Sequence, residues 1–292
     1  GDEVLIDNGT YLAIQTYHRH QIPSPDYYVW DQFKVAGQPM YPQRPVLGLR
    51  YARNAMGTVQ TGRFAGKMIV VESAMDEAAF AWQADWYRTK VQEALGPRLD
   101  DRYRLWFTDN AMHTAPAVMP GDRRPVSTTR VVNYTGIVQQ ALRDVSAWVE
   151  KGWAPPASTN YKIVDGQVVL PPTAAGRNGI QPVVELKANG SVRADVSVGE
   201  SVEFTAIIEM PPGTGTIVGA QWDFEGAGDY PLVEKFDDTN SSFHRLTLKT
   251  TYAFTKPGTY FPVLRTTSQR QGDFKTRFTR IHNLDRVRVV VR

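Results

Sequence analysis

Cysteine is absent from the 292 residues of this chain, and the sequence contains no long apolar run. Without cysteine, the chain has neither a disulfide framework nor a thiol nucleophile. No segment approaches the roughly 20 apolar residues of a membrane-spanning helix, so we expect no membrane span. Basic residues are interspersed with acidic ones and the net charge is only +3, which argues against a nucleic-acid partner.

Residues 66–113 predict a β-α-β unit, because two short apolar runs flank an amphipathic stretch. The runs at residues 68–71 and 103–107 are bounded by turn-forming residues, as strands are. Between them, apolar residues recur at spacings of three and four and predict a helix that ends at Gly96. These residues are Phe80, Ala84, Tyr87, Val91 and Leu95. Strands joined by a crossover helix run parallel, so we expect a parallel pair.

Asp76 and His113 each come shortly after one of the two predicted strands. Functional residues gather at the carboxyl ends of parallel strands, so we expect these two side chains to lie together. A histidine beside a carboxylate can accept the proton of a nucleophile while the carboxylate fixes the imidazole tautomer. Two alternatives stay open, since an aspartate before a helix often caps it and a loop histidine often has no catalytic role. Glu72, Glu77 and Asp109 are the alternative acids.

Residues 66–113 resemble the last part of an α/β-hydrolase fold, similar to that of esterases and amidases of the tannase and feruloyl esterase type. In that fold, the acid of a Ser-His-Asp triad follows the penultimate strand and the histidine follows the last one. The resemblance extends over about residues 45–155. It implies that Asp76 and His113 are the acid and the base of a triad, and that the substrate is a small-molecule or polymeric ester or amide.

The nucleophile of that fold has no counterpart in this sequence. The fold places its serine before the acid, in a Gly-x-Ser-x-Gly motif. Ser24 is the only serine before Ser73, and it stands between two prolines with no glycine beside it. The resemblance therefore implies that the serine lies outside this chain, on an N-terminal half or on a second chain, which is the expected partner.

Further elements are predicted on both sides of the β-α-β unit. The turn at residues 7–9 predicts a hairpin, and residues 45–65 predict a helix. The aromatic segment at residues 27–41 is interpreted either as a lid or substrate wall or as surface loops pinned by aromatic packing. A helix is also predicted after residue 125, with one buried apolar stripe. That stripe consists of Val138, Ala141, Leu142, Val145, Trp148 and Val149.

The sequence predicts neither a cofactor nor a metal. His18 and His20 would share one face of a strand, but no third ligand follows at a suitable spacing. Acidic residues at Asp229, Asp237 and Asp238 could attract calcium, although an acidic loop is usually solvated.

The composition changes after residue 155, which predicts two domains and a linker. Residues 156–181 are rich in proline and glycine, and Asp165 and Gly166 between two apolar runs predict a hairpin. From residue 182 to residue 292, strand patterns recur about every ten residues and predict an all-β sandwich. The clearest strands are residues 183–186, 201–208, 216–224, 246–254, 260–266 and 287–291. We therefore expect an α/β domain over residues 1–155, a linker over 156–181 and a β-sandwich over 182–292.

Two motifs of the predicted sandwich, at residues 220–228 and 252–260, resemble the polycystic-kidney-disease (PKD) repeat, an immunoglobulin-like module. The resemblance implies that Trp222 and Tyr260 pack between the sheets and that Asp223 holds a turn. Such modules occur in secreted, periplasmic or cell-surface proteins, where they act as spacers or bind proteins and polysaccharides. An alternative function is therefore that of a non-catalytic binding or scaffold subunit.

Overall fold

Our computed structural model describes residues 19–20, 22, 26, 28–44, 60–115, 128–236 and 243–292. The predicted hairpin at residues 7–9, residues 45–59 of the predicted helix, and His18, Ser24, Asp237 and Asp238 lie outside these residues. Residues 60–65, the described end of that helix prediction, contain no helix. Among the described helices, none combines the length and the hydropathy that a bilayer span requires.

The aromatic N-terminal segment forms a 3-10 helix and a small hairpin. The 3-10 helix spans Tyr28–Phe33, and it leads into strands β1 (Lys34–Val35) and β2 (Gln38–Pro39). Trp30 is buried and packs edge-on against Trp82, with 5.2 Å between the ring centroids. This contact attaches the segment to the helix that follows the next strand.

The predicted β-α-β unit is confirmed. Its elements are β3 (Met68–Ser73), α1 (Trp82–Leu95), a short α2 (Leu99–Arg102) and β4 (Tyr103–Thr108). β3 and β4 pair in parallel along their whole length, from Met68 opposite Tyr103 to Ser73 opposite Thr108. All six residues of β4 are buried, so this strand lies in the core of the α/β part.

Helix α3 (Thr135–Lys151) packs on the opposite face of this sheet from α1, but with a different side than predicted. Ala141 and Trp148 are buried as predicted. The prediction is wrong for Val138, Leu142 and Val149, which are 37%, 64% and 61% exposed. Apolar residues occur around most of this helix, so their spacing alone does not determine which side is buried. Contacts with residues distant in the sequence determine it. The buried cluster joins the helix to both strands and to the sandwich, through Ile69, Val71, Trp106, Ile137, Ala141, Ile180 and Ile281.

Residues 156–181, predicted to be a linker, run along the free edge of β4. The backbone N–H of Thr159 donates to the carbonyl of Leu105 at 2.9 Å, and its hydroxyl accepts from the N–H of Phe107 at 3.1 Å. The segment also contains β5 (Lys162–Val164), β6 (Gln167–Val169) and α4 (Ala174–Arg177), and the hairpin predicted at Asp165 and Gly166 is confirmed. The segment thus satisfies edge backbone groups of Leu105 and Phe107 in β4. The predicted domain boundaries stay a prediction.

The C-terminal part is all-β, and its sheets pack around one buried apolar core. The strands described in this part form three sheets, in the orders β11-β10-β14-β15, β12-β9-β7 and β13-β16-β8. The strands are β7 (Val183–Ala188), β8 (Arg193–Val196), β9 (Ser201–Glu209), β10 (Thr216–Asp223), β11 (Leu232–Val233), β12 (Arg245–Ala253), β13 (Gly258–Tyr260), β14 (Val263–Gln269), β15 (Ile281–Arg286) and β16 (Arg288–Val291). Four of them, β8, β11, β13 and β15, are not among the clearest predicted strands.

Three residues of the two PKD-like motifs, Trp222, Tyr260 and Asp223, have the structural roles that the resemblance implied. Trp222 is fully buried, and Tyr260 packs against the same cluster. The carboxylate of Asp223 accepts the backbone N–H groups of Gly226 and Gly228, at 2.8 and 2.5 Å. Asp223 therefore holds the turn after β10, as the resemblance implied.

Candidate active site

Asp76 and His113 lie side by side at the carboxyl ends of β3 and β4. Nδ1 of His113 is 3.0 Å from Oδ2 and 3.2 Å from Oδ1 of Asp76. The Asp76 side chain is only 9% exposed, whereas the His113 side chain is 52% exposed. A shielded carboxylate thus holds one nitrogen of an imidazole that is open to solvent. The predicted proximity is confirmed, while the catalytic role stays a prediction.

The pairing of β3 and β4 continues beyond the strands and joins the two loops. The N–H of Ala74 donates to the carbonyl of Thr108 at 2.8 Å, and the N–H of Met75 donates to the carbonyl of Ala111 at 3.0 Å. Asp76 is therefore the residue directly after Met75, whose N–H is bonded to the loop that carries His113. The parallel register of the sheet fixes the distance between the two side chains.

Asp76 also has the alternative role that its position suggests. Its Oδ1 accepts the backbone N–H groups of Ala78 and Ala79, at 2.8 and 2.6 Å. These residues lie in the turns that precede α1. The two roles are compatible, because the amides hold the carboxylate in the orientation in which it meets the imidazole.

The acidic surroundings of His113 favour its protonated form. The hydrogen bond to Asp76 and the charge of Asp76 raise the pKa of the His113 imidazole, and the charges of Glu77 and Glu72 add to this effect. Glu77 also accepts the backbone N–H of His113 at 3.2 Å. The imidazole is therefore more basic than an isolated histidine.

Of the four candidate acids, Asp76 is the one that contacts the imidazole. Glu77 binds the backbone of His113, and Glu72 acts on it through charge. Asp109 is turned to another partner, since its Oδ2 is 2.7 Å from a guanidinium nitrogen of Arg177.

The loop that carries His113 is bound by residues that the sequence pattern did not single out. Nδ2 of Asn110 donates to Oδ1 of Asn283 and to the carbonyl of Leu284, each at 3.0 Å. The side chain of Gln181 accepts the N–H of Asp109 at 2.8 Å and donates to its carbonyl at 3.1 Å. Asp109 and Asn110 form a turn signal after a strand, but nothing in the sequence connects them to partners so far along the chain.

The described residues contain no group of three histidine, cysteine or acidic side chains close enough to hold a metal. His20 is engaged elsewhere: its Nδ1 lies 2.9 Å from the carbonyl oxygen of Pro42, and its ring packs against Tyr41.

An apolar cavity of about 600 Å³ lies against α1, away from Asp76 and His113. Met68, the first residue of β3, lines it together with Trp30, Trp82 and Trp86. From the described part of the aromatic segment, Trp30 lines this cavity, and neither Asp76 nor His113 is among its lining residues.

No protein-family model and no curated protein sequence matches the chain. Among solved structures, the CARDB domain of the PF1109 protein from Pyrococcus furiosus, in complex with di-metal ions, is 14% identical, with 38% of this chain and 92% of that chain covered and a TM-score of 0.28. A β-glucosidase from Listeria innocua is 13% identical, with 49% of this chain and 20% of that chain covered and a TM-score of 0.20. TM-scores this low do not establish a shared fold.

Proposed function

We propose that this chain supplies the acid and the base of a serine hydrolase that cleaves ester or amide bonds. The observation that supports this function is the contact between Asp76 and His113, at the carboxyl ends of adjacent parallel strands. The nucleophilic serine belongs to polypeptide outside this chain, as the α/β-hydrolase resemblance requires.

His113 acts as the base through Nε2, because Nδ1 is held by Asp76. A carboxylate only accepts hydrogen bonds, so Nδ1 carries the proton and Nε2 has the free electron pair. Nε2 takes the proton of the serine hydroxyl as its oxygen attacks the substrate carbonyl. The same proton then passes to the leaving alcohol or amine, and an acyl-enzyme remains.

Water completes the reaction by the same route. Nε2 takes a proton from the attacking water, and the serine oxygen leaves with that proton when the acid product forms. Asp76 stabilises the imidazolium in both steps without taking up a proton itself. Backbone amides of the polypeptide that carries the serine would hold the oxyanion. The PKD-like motifs favour a secreted, periplasmic or cell-surface enzyme.

Serine-directed labelling tests the proposal on the complete protein, which includes the polypeptide with the nucleophile. We expect a fluorescent fluorophosphonate to label it, and His113→Ala to reduce both labelling and ester turnover by about 10⁴-fold or more. His20→Ala is the control, because the contacts of that histidine are with Pro42 and Tyr41. Full labelling and turnover in His113→Ala would refute the proposal.

A non-catalytic scaffold is the second candidate function, and one observation favours it. The chain contains no Gly-x-Ser-x-Gly motif, which is the motif that carries the nucleophile in the α/β-hydrolase fold. Under this alternative, the β-sandwich contacts a protein or a polysaccharide. A complete protein that takes up no fluorophosphonate at all would support it.

A further inference from the structure

We propose that the β-sandwich positions His113, and that Asn110 is the residue through which it does so. The inference rests on the proposed function for its catalytic consequence. In this view the sandwich is part of the support of the active site rather than a spacer.

Asn110 connects the end of β4 to β15 of the sandwich. Its Nδ2 donates to Oδ1 of Asn283 and to the carbonyl of Leu284, each at 3.0 Å. Its carbonyl accepts the N–H of Val132 at 2.7 Å. Both its side chain and its backbone are therefore fixed, only three residues before His113.

The acceptor on the sandwich is itself held in place. Asn283 is buried, and its Nδ2 donates to the carbonyl of Pro182 at 2.7 Å. Its Oδ1 also accepts the N–H of Leu284 at 2.8 Å. The side chain of Asn283 thus has one orientation, in which its oxygen faces Asn110.

The residue after Asn110 adds a packing contact to these hydrogen bonds. Ala111 is fully buried and packs with Tyr230, Val263 and Leu284 of the sandwich, and with Val132. Its carbonyl is the acceptor for Met75 in the acid loop. A shift of the sandwich relative to β4 would therefore move the backbone that joins the histidine loop to the acid loop.

Gln181 forms a second bridge between the loop and the sandwich. Its Nε2 donates to the carbonyls of Asp109 and of His282, at 3.1 and 2.9 Å. Beyond Asn110, the hydroxyl of Tyr134 donates to the carbonyl of His113 at 2.9 Å. The loop is thus held at successive residues, and the Asn110 side chain hydrogen-bonds directly to the sandwich.

Asn110→Gly isolates the contribution of the side chain. Asn110 has a φ of 53°, in the left-handed region, and glycine adopts this conformation without strain. The substitution removes the two hydrogen bonds and changes no charge, so Asp76, Glu77 and Glu72 still face His113 as before. Asn189→Gly is the matched control, because Asn189 has a φ of 48° and its Oδ1 accepts the N–H of Glu203 within the sandwich.

The pKa of His113, measured by NMR titration of the ¹³C-labelled histidines, is the readout. We expect it to lie above the ordinary value of about 6.5 in the unmodified chain and to fall towards that value in Asn110→Gly, because the imidazole no longer stays against Asp76. Asn189→Gly should leave it unchanged. An unchanged pKa in Asn110→Gly, or an equal fall in both variants, would overturn the proposal.

Turnover in the complete protein separates this inference from the proposed function. We expect Asn110→Gly to lower kcat for an ester by about 10- to 100-fold with little change in KM, as misplacement of a catalytic group does. If His113→Ala left turnover intact, the proposed function would fail, yet a lower His113 pKa in Asn110→Gly would still establish the positioning role. Unchanged kcat in Asn110→Gly, in an enzyme that needs His113, would overturn that role.

Discussion

Glu72, near the end of β3, is an acid whose ionisation is opposed by its burial and by the charge of Asp76. Burial is the larger cause, and together they raise the pKa of the Glu72 carboxyl to about 7. Its negative charge in turn helps to raise the pKa of His113. Besides the proposed acid and base, the site therefore contains Glu72, whose carboxyl titrates near neutral pH.

Glu72→Gln should make the chain more stable at pH 8 and have little effect at pH 4. The pKa of Glu72 is higher in the folded state than its ordinary value of 4.5, so folding loses stability as the pH rises from 4.5 towards 7. A neutral glutamine does not cause this loss of unfolding free energy, which we expect to be about 1 kcal/mol for a partly exposed group. Urea unfolding at the two pH values measures it. Glu150→Gln, on the exposed face of α3, is the control, and an equal effect at both pH values would contradict the prediction.

His282 should make the chain sensitive to mild acid. Burial, and then the charges of Arg265 and Arg280, lower the pKa of its imidazole to about 4. Because the ordinary value is 6.5, the unfolded state binds the proton first, and stability falls as the pH drops from 6.5 to 4, by up to about 3 kcal/mol. His282→Gln should lessen the difference in Tm between pH 7 and pH 5. A difference as large as that of the unmodified chain would show that other groups cause the acid sensitivity.

Gly136→Ala should destabilise the chain although alanine favours helices. Gly136 lies in the first turn of α3, and a Cβ there would overlap the carbonyl group of Arg280. Relief of this overlap requires α3 to move away from the sandwich, at a cost of about 1–3 kcal/mol. Thr135→Ala, at the preceding and exposed position, should have a smaller effect. Denaturant unfolding compares the two, and a gain in stability for Gly136→Ala would contradict the observed packing.

The β-α-β unit could be predicted because its signals are local. The apolar runs that form β3 and β4 and the spacing of residues along α1 are each contained within a few turns of chain. The side of α3 that is buried could not be predicted in the same way. Val138 and Leu142 are as apolar as Ile137, yet they are exposed, whereas Ile137 packs in the core and the neighbouring Gly136 lies against the backbone of Arg280.

For the candidate site, too, local features could be predicted from the sequence and contacts between distant residues could not. The proximity of Asp76 and His113 follows from parallel strands, whose carboxyl ends share an edge. The hydrogen bonds that hold the His113 loop could not be predicted in this way, since Asn110 and Asn283 are 173 residues apart in the sequence. Likewise, Asp85 is buried in α1 because hydroxyls of Tyr28 and Tyr161 donate to it, at 2.8 and 2.5 Å. Pairings of this kind have no periodic signature in a single sequence.

Asp76→Asn should separate the two roles of Asp76, since asparagine keeps an oxygen that can accept the N–H groups of Ala78 and Ala79 but loses the charge. The capped turn should then survive, with little change in Tm. We expect kcat for an ester to fall by about 10⁴-fold in the complete protein, as the imidazole loses the group that fixes its tautomer. The pKa of His113 should fall as well, because its hydrogen bond to Asp76 and the charge of Asp76 are the main causes that raise it.

Asp273→Asn provides the matched control for this prediction. Asp273 also accepts two backbone N–H groups, from Lys275 at 2.8 Å and from Thr276 at 3.1 Å, in a loop of the sandwich. We expect its substitution to change neither kcat nor the pKa of His113. If Asp76→Asn left kcat and the pKa of His113 unchanged, the charge beside the imidazole would have no catalytic effect, and Asp76 would be a capping residue alone.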